Sequence, residues 1–392
     1  MLSLIGIFTV AQVFSQAPPC VNEAYMALRN KSISKAKRII DDCSVVSSNN
    51  ADVLLMKGNV YLQRYSQEEE SLKKDRAYVV KDPDAIFIAN ESFYQAIQSN
   101  SKVEPKTGNF SAVEGQIYCA APLYSKGMDY LEKNDFDNAE KYLNAAARSF
   151  KADSKNPNLA TYLSYIYFSL AEIAIQKKDP IMQKKMLIET TNLKAKTSTP
   201  YLILYEIYLN EKDTVNAGKI LNAAKQNVPD SLSADITEYE MAYYTMMKQT
   251  EKLPEIAEKF IKGHGETPKN LALVANYLNN AYMLELAEKY IKIGLEKAPN
   301  DFDLNQQMGY RYFFEAENYQ NMIDSVTKKR DFNAVGALRE KENEALKNAH
   351  TWVEKAYVVK KDDVLNNRML RQLKVKLMLE VPEELKQSLE GK

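Results

Sequence analysis

Apolar and small residues recur along this chain in a fixed order. From Tyr130 to Ala146 it reads YLEKNDFDNAEKYLNAA, and from Tyr208 to Ala224 it reads YLNEKDTVNAGKILNAA. Both stretches place Tyr-Leu, Asp, Asn-Ala, Lys and Leu-Asn-Ala-Ala at the same offsets, with polar residues between them. Apolar positions three and four apart define one face of an α-helix. The polar breaks at Asn134-Asp135 and Lys212-Asp213 supply capping residues where one helix stops and the next begins. Each stretch therefore predicts a helical hairpin.

The same frame returns elsewhere. With Gly127, Tyr130, Ala139, Leu143 and Ala146 as the ruler, it holds at Tyr205, Tyr208, Ala217, Leu221, Ala224 and Pro229. It holds again at Ala275, Leu278, Ala287, Ile291, Gly294 and Pro299, and near the amino end at Ala24, Ala27, Ala36, Ile40 and Cys43. Weaker copies start at Tyr167, Ala171 and Ala174, with Leu187 on the second helix, and at Tyr243, Tyr244 and Met247, closing on Phe260, Gly263 and Pro268. Two copies are interrupted. Gly58 and Tyr61 resume only at Ala89, Phe93 and Ala96, across a charged segment; Gly309 and Tyr312 resume at Ala349, Val353 and Ala356, across a proline-free segment that reads as lengthened helices. A last helix is expected from about Val364 to Leu379, closing the open end as an array requires.

The frame resembles the tetratricopeptide repeat, whose first helix carries a small residue and an aromatic, and whose second carries alanine, a bulky apolar residue and alanine before a closing proline. The physics asks for these types, because two helices approach to about 8–10 Å only where the crossing residues are small. The sequence departs from the family at the start of most first helices, where Leu123 and Leu271 stand in place of a large aromatic and Tyr201 is the exception. The resemblance implies an all-α fold: a right-handed α-solenoid of about eight TPR-like helical hairpins with a C-terminal capping helix. It would run as a single superhelical domain over residues 18–392, with inserts at about 64–84 and 315–343. Such inserts behind an exported leader resemble envelope proteins of the Bacteroidota.

The scarcity of glycine (12) and proline (13) in 392 residues favours long helices over a turn-rich β architecture. Lysine plus arginine equals aspartate plus glutamate at 52 each, and this lack of a basic surplus argues against nucleic acid as the main partner. An uncharged apolar run from Leu2 to Phe14 has the length of a secretory signal core and is too short to span a bilayer. Residues 1–17 are thus expected to be a signal peptide, cut after Ser15 or Ala17, although no Lys or Arg stands near Met1. The other reading makes this run the first helix of a cytoplasmic protein. The expected location is the periplasm or the outer membrane, with no transmembrane segment in the mature chain.

Cys20 and Cys43 fall near the same end of one hairpin, and a disulfide between them suits an oxidising compartment. Two reduced cysteines packing as small residues are the alternative. Lipidation of Cys20 meets an unsuitable preceding Ala17-Pro18-Pro19. Cys119 is expected to pack as a small apolar residue.

Little in the chain suggests chemistry. It has two histidines, His264 in a Gly-His-Gly turn and His350 beside Trp352, and no HExxH, CxxC, GxGxxG or GxxxxGK sequence. No catalytic residue, metal ligand or cofactor is expected, and the reading is of a non-enzyme. Function then rests on the surface lined by the first helices, where such arrays hold polypeptides. The frame puts Tyr25, Asn59, Tyr124, Met128, Phe168, Asn276, Asn279, Asn280 and Tyr310 on that face. Asparagine can bond an extended backbone through both its donor and its acceptor, and tyrosine is an amphipathic anchor. The aromatics have an alternative role in packing against neighbouring hairpins, whereas three asparagines between residues 276 and 280 are not expected in a core. The chaperone-tail clamp known in the family does not carry over, because Leu55 stands beside Asn59 where a basic residue is needed. Two functions follow: a scaffold binding a protein partner of the outer membrane or periplasm, or a periplasmic carrier holding a small ligand or saccharide.

Overall fold

The computed structural model describes residues 17–382 and residue 385, and among these it contains seventeen α-helices and no strand. The signal peptide expected over residues 1–17 lies, apart from Ala17, outside the described residues. The span left undivided by the sequence separates into two compact units, Met1–Ala195 and Lys196–Lys392.

The first unit holds four hairpins: α1 (Pro19–Arg29) with α2 (Ile33–Val46), α3 (Ala51–Lys74) with α4 (Ala85–Ser99), α5 (Ala112–Glu132) with α6 (Phe136–Ala152), and α7 (Leu159–Gln176) with α8 (Pro180–Asn192). The second holds four more and a closing helix: α9 (Thr199–Asn210) with α10 (Thr214–Asn227), α11 (Ala234–Met246) with α12 (Leu253–His264), α13 (Pro268–Asn280) with α14 (Leu284–Lys297), α15 (Phe302–Lys328) with α16 (Phe332–Val359), then α17 (Val364–Lys376). Each unit is a stack of TPR-like hairpins. Ala36, Ala139, Ala217 and Ala287, the small residues that the frame puts at the crossings, are fully buried, so the helices close to the short distance that only small side chains allow.

One turn is used repeatedly. In seven of the eight hairpins the first helix ends on a left-handed residue: Lys31, Asn134, Lys178, Lys212, Lys248, Tyr282 and Arg330, with φ between 56° and 62°. The next backbone N–H then donates to the carbonyl five residues back, as Asp135 does to Tyr130 and Asp213 to Tyr208. This satisfies carbonyls that the helix end would orphan. In four of these turns that next residue is an aspartate, Asp135, Asp179, Asp213 or Asp331, whose carboxylate caps the second helix by accepting from a backbone N–H three residues on. Stop and start are thus combined in two residues, which makes the paired helices antiparallel and closely packed.

The exception is the α3–α4 hairpin. The charged segment read as an insert at 64–84 is helical through Lys74, and its remainder folds back over the helix. Arg64 ion-pairs with Glu68 at 2.6 Å and with Asp82, and Glu68 accepts from the Lys81 backbone N–H at 3.1 Å. At 2% exposure Glu68 is a buried charge held by its partners, rather than part of a solvated face.

Cys20 of α1 and Cys43 of α2 stand at disulfide distance, with Cα atoms 6.2 Å apart and 23 residues between them in sequence. Closing a loop of that length removes about 3 kcal/mol of unfolded-chain entropy. Replacing both cysteines with serine is therefore expected to raise amide hydrogen exchange across α1 by two orders of magnitude under oxidising conditions. Unchanged exchange would mean the link adds nothing to the hairpin.

In the second unit α15 and α16 have 27 and 28 residues against 13 and 14 in α13 and α14. At 1.5 Å per residue the long pair reaches about 20 Å further than its neighbour. The insert at 315–343 is this projection. Helix α17 then packs through Leu370 and Leu373 against Ala349 and Val353, and so covers an apolar face that would otherwise meet water.

Candidate partner-binding surfaces

In the first unit, α1 and α3 turn Tyr25 and Asn59 to the face expected to hold a partner, yet the chain itself occupies that place. The connection from α4 to α5 lies over these helices. Asn59 donates to the Phe110 carbonyl at 3.0 Å and accepts from the Phe110 N–H at 2.8 Å, while the Tyr25 hydroxyl donates to the Thr107 carbonyl at 3.0 Å. Asn59 is 3% exposed, so its expected role in holding a partner is corrected: its amide does read an extended backbone, but that backbone is its own. The signal was absent locally, because the partner lies 51 residues away.

The next two first helices carry no such cover among the described residues. Tyr124 and Met128 lie four residues apart along one stripe of α5, with Tyr165 of α7 near Tyr124, and Tyr165, Phe168 and Glu172 recur at steps of three and four along α7. The Ser169 hydroxyl reaches the Met128 sulfur at 3.6 Å and links the two helices. Tyr165 is 52% exposed, and Tyr124, Met128 and Phe168 are half-buried. The crowding of this face shows in the titration of its groups. Partial burial, with Tyr165 adding to it, raises the Tyr124 phenol, and desolvation raises the Glu172 carboxyl above the usual carboxylate range. The frame found Tyr124, Met128 and Phe168 but not Tyr165 or Glu172, which lie three before and four after Phe168 on the same helix face.

In the second unit the three asparagines of α13 part company. Asn279 is 1% exposed and donates to the Gln307 carbonyl at 2.9 Å and to the Gln307 side chain at 3.1 Å. A carbonyl already bonded within its helix keeps a second lone pair, which is what Asn279 uses. The expectation that a core position would not choose asparagine is therefore corrected here: Asn279 ties α13 to α15. Asn276 is half-buried and accepts from Asn280 and Gln307 at 3.3 and 3.4 Å, and Asn280 is exposed. Tyr310 of α15 is half-buried, and burial raises its phenol. Asn276, Asn280 and Tyr310 keep polar atoms at the surface; Asn279 does not.

The projection of α15 creates a cleft of about 700 Å³ above the α13–α14 turn, lined by Tyr282, Glu285, Lys289, Arg311, Glu315 and Tyr319. Arg311 spans it by pairing with Glu288 at 2.8 Å and with Glu315.

His264 stacks on Phe260 with centroids 4.1 Å apart, and burial lowers the His350 pKa. Cys119 is buried, which pushes its thiol well above the usual range. Among the described residues no three His, Cys, Asp or Glu side chains are grouped to hold a metal ion, and no helix is long and apolar enough to cross a membrane.

No family model and no curated protein matches the chain. Several solved structures are similar to it. A tetratricopeptide repeat protein from Parabacteroides merdae is 17% identical, covering 66% of this chain and 99% of its own, with a TM-score of 0.39. The pilF protein of Pseudomonas aeruginosa is 14% identical over 73% of this chain and 93% of its own, with a TM-score of 0.25. The TPR2AB domain of yeast Sti1, solved in complex with pHSP90, is 16% identical over 82% of this chain and 99% of its own, at 0.25. The class to which the fold assigns the chain, an all-α array of TPR-like hairpins, stands on its own helices and turns.

Proposed function

We propose that the protein is a non-enzymatic interaction scaffold of the bacterial envelope, binding a partner polypeptide through its first-helix faces and the long α15–α16 hairpin, as a periplasmic protein or a subunit of an outer-membrane assembly. One observation carries the binding reading. The face shared by α1 and α3 already holds an extended backbone through Asn59 and Tyr25, whereas among the described residues no such segment covers the Tyr124, Met128, Tyr165 and Phe168 surface beside it, where Tyr165 is 52% exposed. Aromatics exposed along one stripe are anchors of the kind that interfaces use. The envelope reading is supported by the apolar run from Leu2 to Phe14 and by the cysteine pair, a link that persists in an oxidising compartment. Fractionation with N-terminal sequencing tests it: a processed start after Ser15 or Ala17 in the envelope fraction is expected, and retention of Met1 in the cytosol would remove it.

The cleft beneath α15 favours a second reading, a periplasmic carrier of a small ligand or saccharide, since its two tyrosines and its mixed charges could seat one. Thermal shift separates the two. A carrier is stabilised by its ligand without a protein partner.

A further inference from the structure

Helix α17 does more than close the array. With α15 it bounds a cavity of about 680 Å³ lined by Phe313, Glu317, Arg368, Arg371, Val375 and Lys376. The α17 residues recur at three- and four-residue steps and so share one face of that helix. Its opposite face, with Leu370 and Leu373, is the one that packs into the core. Capping alone would be served by any polar residues on the outer face. Here three are cations, and neither Arg368 nor Arg371 has an ion-pair or hydrogen-bond partner among the described residues. Lys374, on the inner side, is by contrast paired with Glu354 at 3.7 Å. The floor is apolar: Val375 is 62% exposed, and the Phe313 ring lies 5.9 Å from the Lys376 ammonium.

We propose that this cavity binds an acidic polypeptide segment, the Arg368 and Arg371 guanidiniums taking its side-chain carboxylates while Phe313 and Val375 receive an adjoining apolar side chain. The proposal rests on the protein-binding reading and gives its partner a chemistry. Planar guanidiniums match carboxylates through paired N–H donors. A phosphate or a sulfated glycan fits less well, because Glu317 lies in the same cavity. Fixed there by the Tyr282 hydroxyl at 3.1 Å, it offers an acceptor for a backbone N–H, a donor that neither of those supplies.

The test uses the full chain and fluorescence anisotropy. The probe is a labelled peptide, acetylated and amidated at its ends so that no terminal carboxylate is present, with alternating Asp and Glu around a central Phe. It should bind, and the Arg368→Gln/Arg371→Gln double variant should bind it at least tenfold more weakly at unchanged helicity. Arg371→Lys should lose less, and the Asn/Gln version of the peptide should not bind. Equal binding by the double variant, equal binding of the Asn/Gln peptide, or competition by inorganic phosphate or dextran sulfate at the concentration of the peptide would each overturn the proposal. If the acidic peptide fails to bind while a partner is still held through Tyr165 and Phe168, this inference falls and the scaffold reading stands.

Discussion

Phe93→Ala is expected to destabilise the first unit by about 4 kcal/mol, the middle of the range for removing a buried ring. Phe93 of α4 is fully buried and enters a slot between α3 and α5 made by two glycines, Gly58 and Gly115. A Cβ built on Gly58 would lie 2.6 Å from the ring, and one on Gly115 would also overlap it. Three helices therefore meet around one side chain that has replaced the side chains of two others. When the ring is removed, neither glycine has atoms that can move into the space, so the cavity stays open and the lost contacts are not recovered. The converse change, Gly115→Ala, overfills the slot and should cost about 1–3 kcal/mol. Urea unfolding followed by far-ultraviolet circular dichroism reads both. A loss below about 1 kcal/mol for Phe93→Ala would show that the three helices are not held by this contact.

Arg64→Ala should cost about 3–5 kcal/mol, because it leaves the buried Glu68 carboxylate without its cation. Glu68 would retain the Lys81 backbone N–H and the Tyr78 hydroxyl, both neutral donors, on a side chain that is almost wholly out of water. Replacing both charges at once, Arg64→Met with Glu68→Leu, removes the unpaired charge along with the pair and should recover most of the loss. The same denaturation experiment compares single and double variants. A double variant as unstable as Arg64→Ala would mean that Asp82 and the 75–84 connection, rather than the buried carboxylate, set the cost.

The hairpins were legible because their signal is local. Ala36, Ala139, Ala217 and Ala287 lie at crossings between helices close in sequence, where small size is demanded at a fixed step, and α15 and α16 declared their length by lacking any helix breaker. The turns were half legible. Their aspartate caps recur at a constant place, but the left-handed residue before each cap is lysine, asparagine or arginine, so no glycine marks it. The binding surface was least legible, because asparagines expected on one face serve opposite ends. Asn280 stays exposed, whereas Asn279 is drawn inside by Gln307 and Asn59 by Phe110. Those fates depend on chain segments 28 and 51 residues away. Glu68 is hidden for the same reason: nothing in a run of three acids marks the one that a cation and a backbone N–H hold inside.

The first-helix face of α5 and α7 is expected to hold a polypeptide partner. The direct measurement is affinity capture of the tagged full chain from its native host after mild crosslinking, with mass spectrometry, comparing the wild type with Tyr165→Ala/Phe168→Ala and with Ile181→Ala, an exposed apolar residue of α8, as control. The account predicts one stoichiometric envelope protein recovered by the wild type and the control and lost, at least tenfold, from the aromatic double variant. Recovery of the same protein at equal yield by all three, or of the processed chain alone by the wild type, would contradict it.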